Sequence, residues 1–112
     1  MKLSEAIREG AKLHPQGFIN LFYLDREGCI TASCALGAAL VVNVGEEATR
    51  QLHYESSNLA WAKLEEIYPE LNNFQVADGK RSICLAQHIW RLNDVQELTR
   101  EEIADRVESL GF

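Results

Sequence analysis

The chain has 112 residues, of which 46% are hydrophobic and 25% charged, with a formal net charge of −6. That length suits a single globular domain over 1–112 with one core, and no apolar run approaches the roughly 20 residues that a bilayer-spanning helix needs. Lys80, Arg81 and Arg91 are the only local group of bases, so the chain offers no basic footprint for direct nucleic-acid binding.

Of the three cysteines, one is left over in any intramolecular pairing, and none stands in a C-x-x-C spacing; a reduced, cytoplasmic setting is expected. Met1 to Glu5 lacks the apolar centre of a secretory signal and reads as a helix start. Ser4 is placed to cap a first helix running to about Leu13, with Leu3, Ile7 and Ala11 on one face. Gly10 lowers helix propensity and marks a close backbone approach, and Pro15 ends the element.

Phe18 to Leu24 is aromatic and branched and reads as a strand. Asp25-Arg26-Glu27-Gly28 fits a type I turn with Asp first and Gly fourth, and Cys29 to Thr31 returns as the second strand of a hairpin. From Ser33 or Cys34 to the residue before Gly45 the chain is small and apolar on every side, the character of a helix buried all round. Residues 46–58 fit either a helix, with Glu46 and Glu47 at its N-terminus, or a long loop. Ser57 to Tyr68 is helical, Asn72 to Gly79 reads as a loop, and Ser82 to Leu92 as a second apolar helix packed across the small-residue one. Thr99 and Glu102 form a capping box for the last helix, with Leu98 and Ile103 placed as a hydrophobic staple. Ile103, Val107 and Leu110 form its buried stripe, and Gly111 stands where a helix commonly stops. The fold class is therefore α+β and mostly α: about five helices packed around a small-residue central helix, with one β-hairpin.

Leu3 to Ile7 (Leu-Ser-Glu-Ala-Ile), Cys34-Ala35-Leu36-Gly37-Ala38, and Asn93-Asp94 ahead of the Thr99-capped helix form a recurring set. In these pieces the chain resembles small bacterial and phage-encoded proteins that have no assigned activity. Residues 43–80 carry none of the likeness. The resemblance implies a prophage or bacterial accessory setting and carries no site residues with it.

Four constellations bear on chemistry. Cys34, opening a helix, would have its thiol lowered by the helix dipole, and His88 oriented by Asp94 would complete a Cys–His arrangement; buried core packing is the plainer role for a cysteine among Ala, Leu and Gly. Cys84 and His88 stand four apart like two metal ligands, yet Cys29, Cys34, His14 and His53 are scattered without paired spacing, so no metal site is expected and Cys29 is read as filling the hairpin face. Asn93-Asp94 fits either a polar pair presented to a ligand or, the favoured reading, a left-handed Asn93 that ends the helix with Asp94 bonding loop amides. Trp61, Tyr68 and Trp90 read as core aromatics.

No G-x-G-x-x-G, P-loop or H-E-x-x-H motif is present, so no cofactor is expected. The sequence therefore points to a non-enzymatic protein-interaction or regulatory module of bacterial or phage origin. Its acidic surface, with Glu97, Glu101, Asp105 and Glu108 on or beside the last helix, would bind a protein partner; one specific form is a phage inhibitor occupying a host enzyme's nucleic-acid-binding surface. The competing reading is a small thiol-dependent enzyme or regulator centred on Cys34.

Overall fold

The computed structural model describes all residues, 1–112. In chain order it runs α1 (Leu3–Ala11), β1 (Phe22–Leu24), β2 (Ile30–Ser33), α2 (Ala35–Val44), α3 (Glu46–Glu55), α4 (Ser57–Ile67), α5 (Glu70–Asn73), β3 (Gln75–Asp78), β4 (Arg81–Cys84), α6 (Leu85–Asp94) and α7 (Arg100–Ser109). The class is α+β and mostly helical, as expected, but with seven helices rather than about five and two antiparallel hairpins rather than one. No helix is long and apolar enough to cross a membrane.

Helix α2 is the most buried of the helices. Every residue from Ala35 to Val41 is buried, and α1, α3, α4 and α6 all pack on it. Small side chains make this possible. Gly10 of α1 lies against the α2 backbone so closely that a Cβ there would sit 2.0 Å from the Ala38 carbonyl oxygen, and a Cβ on Gly37 would sit 2.2 Å from the Leu21 carbonyl oxygen. Helix α7 lies along α1 with Ile103, Ala104 and Val107 buried. Its capping box is formed: the Glu102 amide donates to Thr99 Oγ1 and the Thr99 amide to Glu102 Oε1, both at 3.1 Å. Gly111 follows in the left-handed region at φ +98°.

Ser4 does not cap α1. It lies inside the helix, where its hydroxyl and its amide both donate to the Phe112 carbonyl oxygen. The first hairpin forms through the expected turn, with the Gly28 amide donating to the Asp25 carbonyl. Its first strand is only three residues long, because the amides before it are engaged elsewhere: Gly17 N–H bonds Ser33 and Ile19 N–H bonds Asp94. Cys29 is exposed rather than filling the hairpin face.

Residues 46–58 are helical, broken at Ser56, whose hydroxyl caps α4 by accepting from the Asn58 amide. Of the stretch Asn72 to Gly79 read as a loop, Asn72 and Asn73 end α5, while Gln75 to Gly79 and the first residues read as helix after it form the second hairpin. Asp78 pairs with Arg81 across Gly79, which has φ +65°, and Ile83 is buried between exposed Ser82 and half-buried Cys84. Glycine at the first of two turn residues, here Gly79-Lys80, is a hairpin signal, and here it outweighs the helical spacing that continues into α6.

Candidate functional site

Asn93 organises the polar side of the core. It is 1% exposed and lies within α6 in ordinary helical geometry, not in the left-handed conformation expected from sequence. Its Oδ1 accepts from the Ala35 amide at 3.2 Å and from Gln16 Nε2 at 3.0 Å. Its Nδ2 donates to the Gly17 carbonyl at 3.0 Å and to Asp94 Oδ1 at 2.7 Å. One side chain thus satisfies the first turn of α2, the irregular segment before β1, and its own neighbour. Asp94 Oδ1 in turn accepts the Ile19 amide at 2.8 Å, the loop-amide role expected of it.

That bond holds an unusual residue. Ile19 has φ +77°, a conformation in which a β-branched side chain is a genuine outlier, and it is 75% exposed. Ile19 stands on a cavity of about 160 Å³ whose other walls include Leu21, Cys34, His53, Trp61, Trp90 and Asp94. Two polar atoms of residues that line it, His53 Nδ1 and Asp94 Oδ2, are shielded from solvent and have no hydrogen-bond partner. The His53 ring meets Phe22 edge-on with centroids 5.8 Å apart. Trp90 is 43% exposed, so neither it nor half-buried Trp61 is simply a core aromatic; only Tyr68 of the three is buried.

Of the proposed Cys34–His88–Asp94 set, the fold brings Cys34 and Asp94 to one cavity and leaves His88 elsewhere. His88 lies beside the Asp78–Arg91 ion pair, its imidazole held below the ordinary range by burial and then by the charge of Arg106. His53, from the stretch that sequence left ambiguous, occupies the wall instead. Cys84 ends β4 and precedes α6 rather than sharing its face with His88, and no three His, Cys, Asp or Glu side chains are gathered as metal ligands would be.

Cys34 caps α2, its Sγ accepting from the Gly37 amide at 3.4 Å. The expected lowering of its thiol does not occur. Burial pushes the thiol up to about 11, with the charge of Asp94 adding to the rise and the Gly37 amide opposing it. Against the ordinary 9.0, this leaves about 100-fold less thiolate at neutral pH. With a thiol-specific reagent, exposed Cys29 is therefore expected to react first and Cys34 about 100-fold more slowly than a free thiol, its rate climbing until pH approaches 11. Rapid labelling of Cys34 at pH 7, followed by mass spectrometry of the modified peptide, would contradict this.

The acids proposed for binding divide. Glu101, Asp105 and Glu108 converge on a single base, Arg8 of α1, at 3.2, 2.6 and 2.5 Å, clamping α7 to α1. Glu97 stands apart in the turn before α7, exposed and with φ +54°. Arg100, by contrast, is buried without an acid: its guanidinium donates to the carbonyls of Ala11, His14 and Ser33 and to the Ser33 hydroxyl. Nothing in the spacing of Arg100 distinguishes it from a solvated helix arginine. No family model, curated protein or solved structure matches this chain.

Proposed function

We propose that the protein is a non-enzymatic protein-interaction module of bacterial or phage origin, and that the partner docks on the Ile19–Trp90 face. The observation that supports this most is Ile19: an apolar, branched side chain held exposed in a strained conformation at an otherwise mainly apolar cavity. Such strain persists only where surrounding structure imposes it, and it gathers at binding sites. Burying Ile19 and Trp90 would remove apolar surface from water and give the aromatic anchor that dominates many interfaces. The net charge of −6 favours a basic partner and speeds encounter, with Arg8 already neutralising part of the α7 face. An inhibitor covering the nucleic-acid-binding surface of a host enzyme is the specific form consistent with that charge.

The thiol-dependent reading draws support from Cys34, His53 and Asp94 sharing one cavity, but a thiol raised to about 11 is poorly suited to nucleophilic work near neutrality.

The test is capture of partners from nuclease-treated bacterial lysate by the tagged chain and by its Trp90→Ala variant. A stoichiometric protein retained by the parent and lost by Trp90→Ala, with affinity reduced about 30-fold or more, supports the proposal. Equal retention by a folded Trp90→Ala variant, with loss on neutralising Glu97 and Glu101, would move the interface to the acidic helix and overturn the docking face.

A further inference from the structure

We infer that the cavity between Trp61 and Trp90 recognises lysine, taking the ammonium-tipped side chain of a basic protein partner. The inference rests on the docking face proposed above and supplies the chemistry of its anchor.

Asp94 is a cavity-wall acid that belongs to no ion pair. Its Oδ1 is fixed by the Ile19 amide and by Asn93 Nδ2, while Oδ2 has no donor. His53 Nδ1 on the same cavity has no partner either. An anionic ligand would meet the carboxylate with repulsion. An ammonium brings three donors and no acceptor; Oδ2 itself is closed to water, so the carboxylate acts on the ammonium through its charge, an attraction stronger away from bulk water than at an exposed site. The remaining surroundings suit the rest of a lysine: tryptophan faces attract a cation, and Leu21, Leu36 and Ile89 offer apolar contact to the methylene stem. A cavity of about 160 Å³ matches a ligand of about six non-hydrogen atoms, close to one lysine side chain. The overall charge of −6 complements a lysine-bearing surface.

The experiment is a nuclear magnetic resonance titration of the full chain with two capped amino acids, Nα-acetyl-lysine methylamide and its norleucine counterpart, which keeps the stem without the ammonium. The lysine probe is expected to shift the Trp61 and Trp90 indole N–H signals saturably, with the norleucine probe weaker by about tenfold. Asp94→Asn, which retains an Oδ1 acceptor, should erase that difference while keeping a cooperative thermal transition. Norleucine binding as well as lysine in the parent chain would overturn the inference and leave the docking face standing. Response to neither probe would overturn it also, and the capture experiment with Trp90→Ala then decides separately whether the docking face fails with it. Self-association of the chain, abolished by Trp90→Ala, would place a second copy on the cavity and contradict a heterologous lysine.

Discussion

Gly10→Ala is expected to destabilise the protein by about 3 kcal/mol, although helix propensity alone favours alanine by about 1 kcal/mol. The added methyl would lie 2.0 Å from the Ala38 carbonyl oxygen, 2.4 Å from its carbon and 2.8 Å from its Cα. All three are backbone atoms of α2, so no side-chain rotation relieves the clash. Helices α1 and α2 must part, and the cost falls on Leu3, Ile7, Leu36 and Leu40, each at most 1% exposed. For a domain of this size the melting temperature should fall by roughly 12–20 °C, read by calorimetry or circular dichroism. An unchanged or raised melting temperature would mean that the α1–α2 crossing is not as close as described.

Asn93→Ala carries the second large effect, about 3–4 kcal/mol. The variant strands the Ala35 amide and the Gly17 carbonyl in the interior and removes a partner of Gln16 and of Asp94. Since Asp94 holds Ile19, the damage should spread to the cavity: Trp90 fluorescence and the Ile19 amide signal are expected to change before global unfolding. Asn93→Asp is nearly isosteric yet loses both Nδ2 donations and puts a carboxylate where Asp94 Oδ1 stands 2.7 Å away. It should be no milder at neutral pH, and partly rescued in acid as one carboxylate of the pair takes up a proton. Denaturant titration of both variants at two pH values measures this; a loss below about 1 kcal/mol for Asn93→Ala would remove it from its central place.

What the sequence disclosed and what it hid divide along the range of the interactions. The capping box at Thr99 and Glu102, the Asp25–Gly28 turn and the Gly111 stop depend on neighbours within a few residues, and each is legible in the chain. Helix α2 is legible because eight apolar residues in unbroken succession, Ala35 to Val42, are long for a strand and small enough for a helix buried all round, and the same smallness at Gly10 announced a close approach without naming Ala38. Ser4 was misleading: a serine near a helix start favours capping, but its hydroxyl goes to Phe112, a partner visible only once the termini meet. The β3–β4 hairpin was hidden by an apolar run in which Ile83 fits strand and helix equally well.

The site lay further from view. Cys34 and Asp94 are separated by most of the fold, and the histidine that joins them comes from α3, where polar residues give weak periodicity. His88, the histidine paired with Asp94 from sequence, is turned by α6 towards Asp78 and Arg91 instead. Asn93 reads locally as a helix terminator; its real partners are Gln16, Gly17 and Ala35, which no spacing rule connects to it. The acids of α7 are legible as a charge pattern but their use is not, since their partner Arg8 is on another helix. Cys34 shows two effects in competition: the helix N-terminus stabilises a thiolate, burial opposes it, and burial wins.

The Ile19–Trp90 face, with its cavity, is the docking surface proposed for a protein partner. Isothermal titration of the captured partner into the parent chain and into Trp90→Ala, at matched salt, tests it most directly. The affinity of the variant is expected to be lower by about 30-fold or more, with both proteins melting cooperatively. Affinities equal within error, with a folded variant, would contradict it.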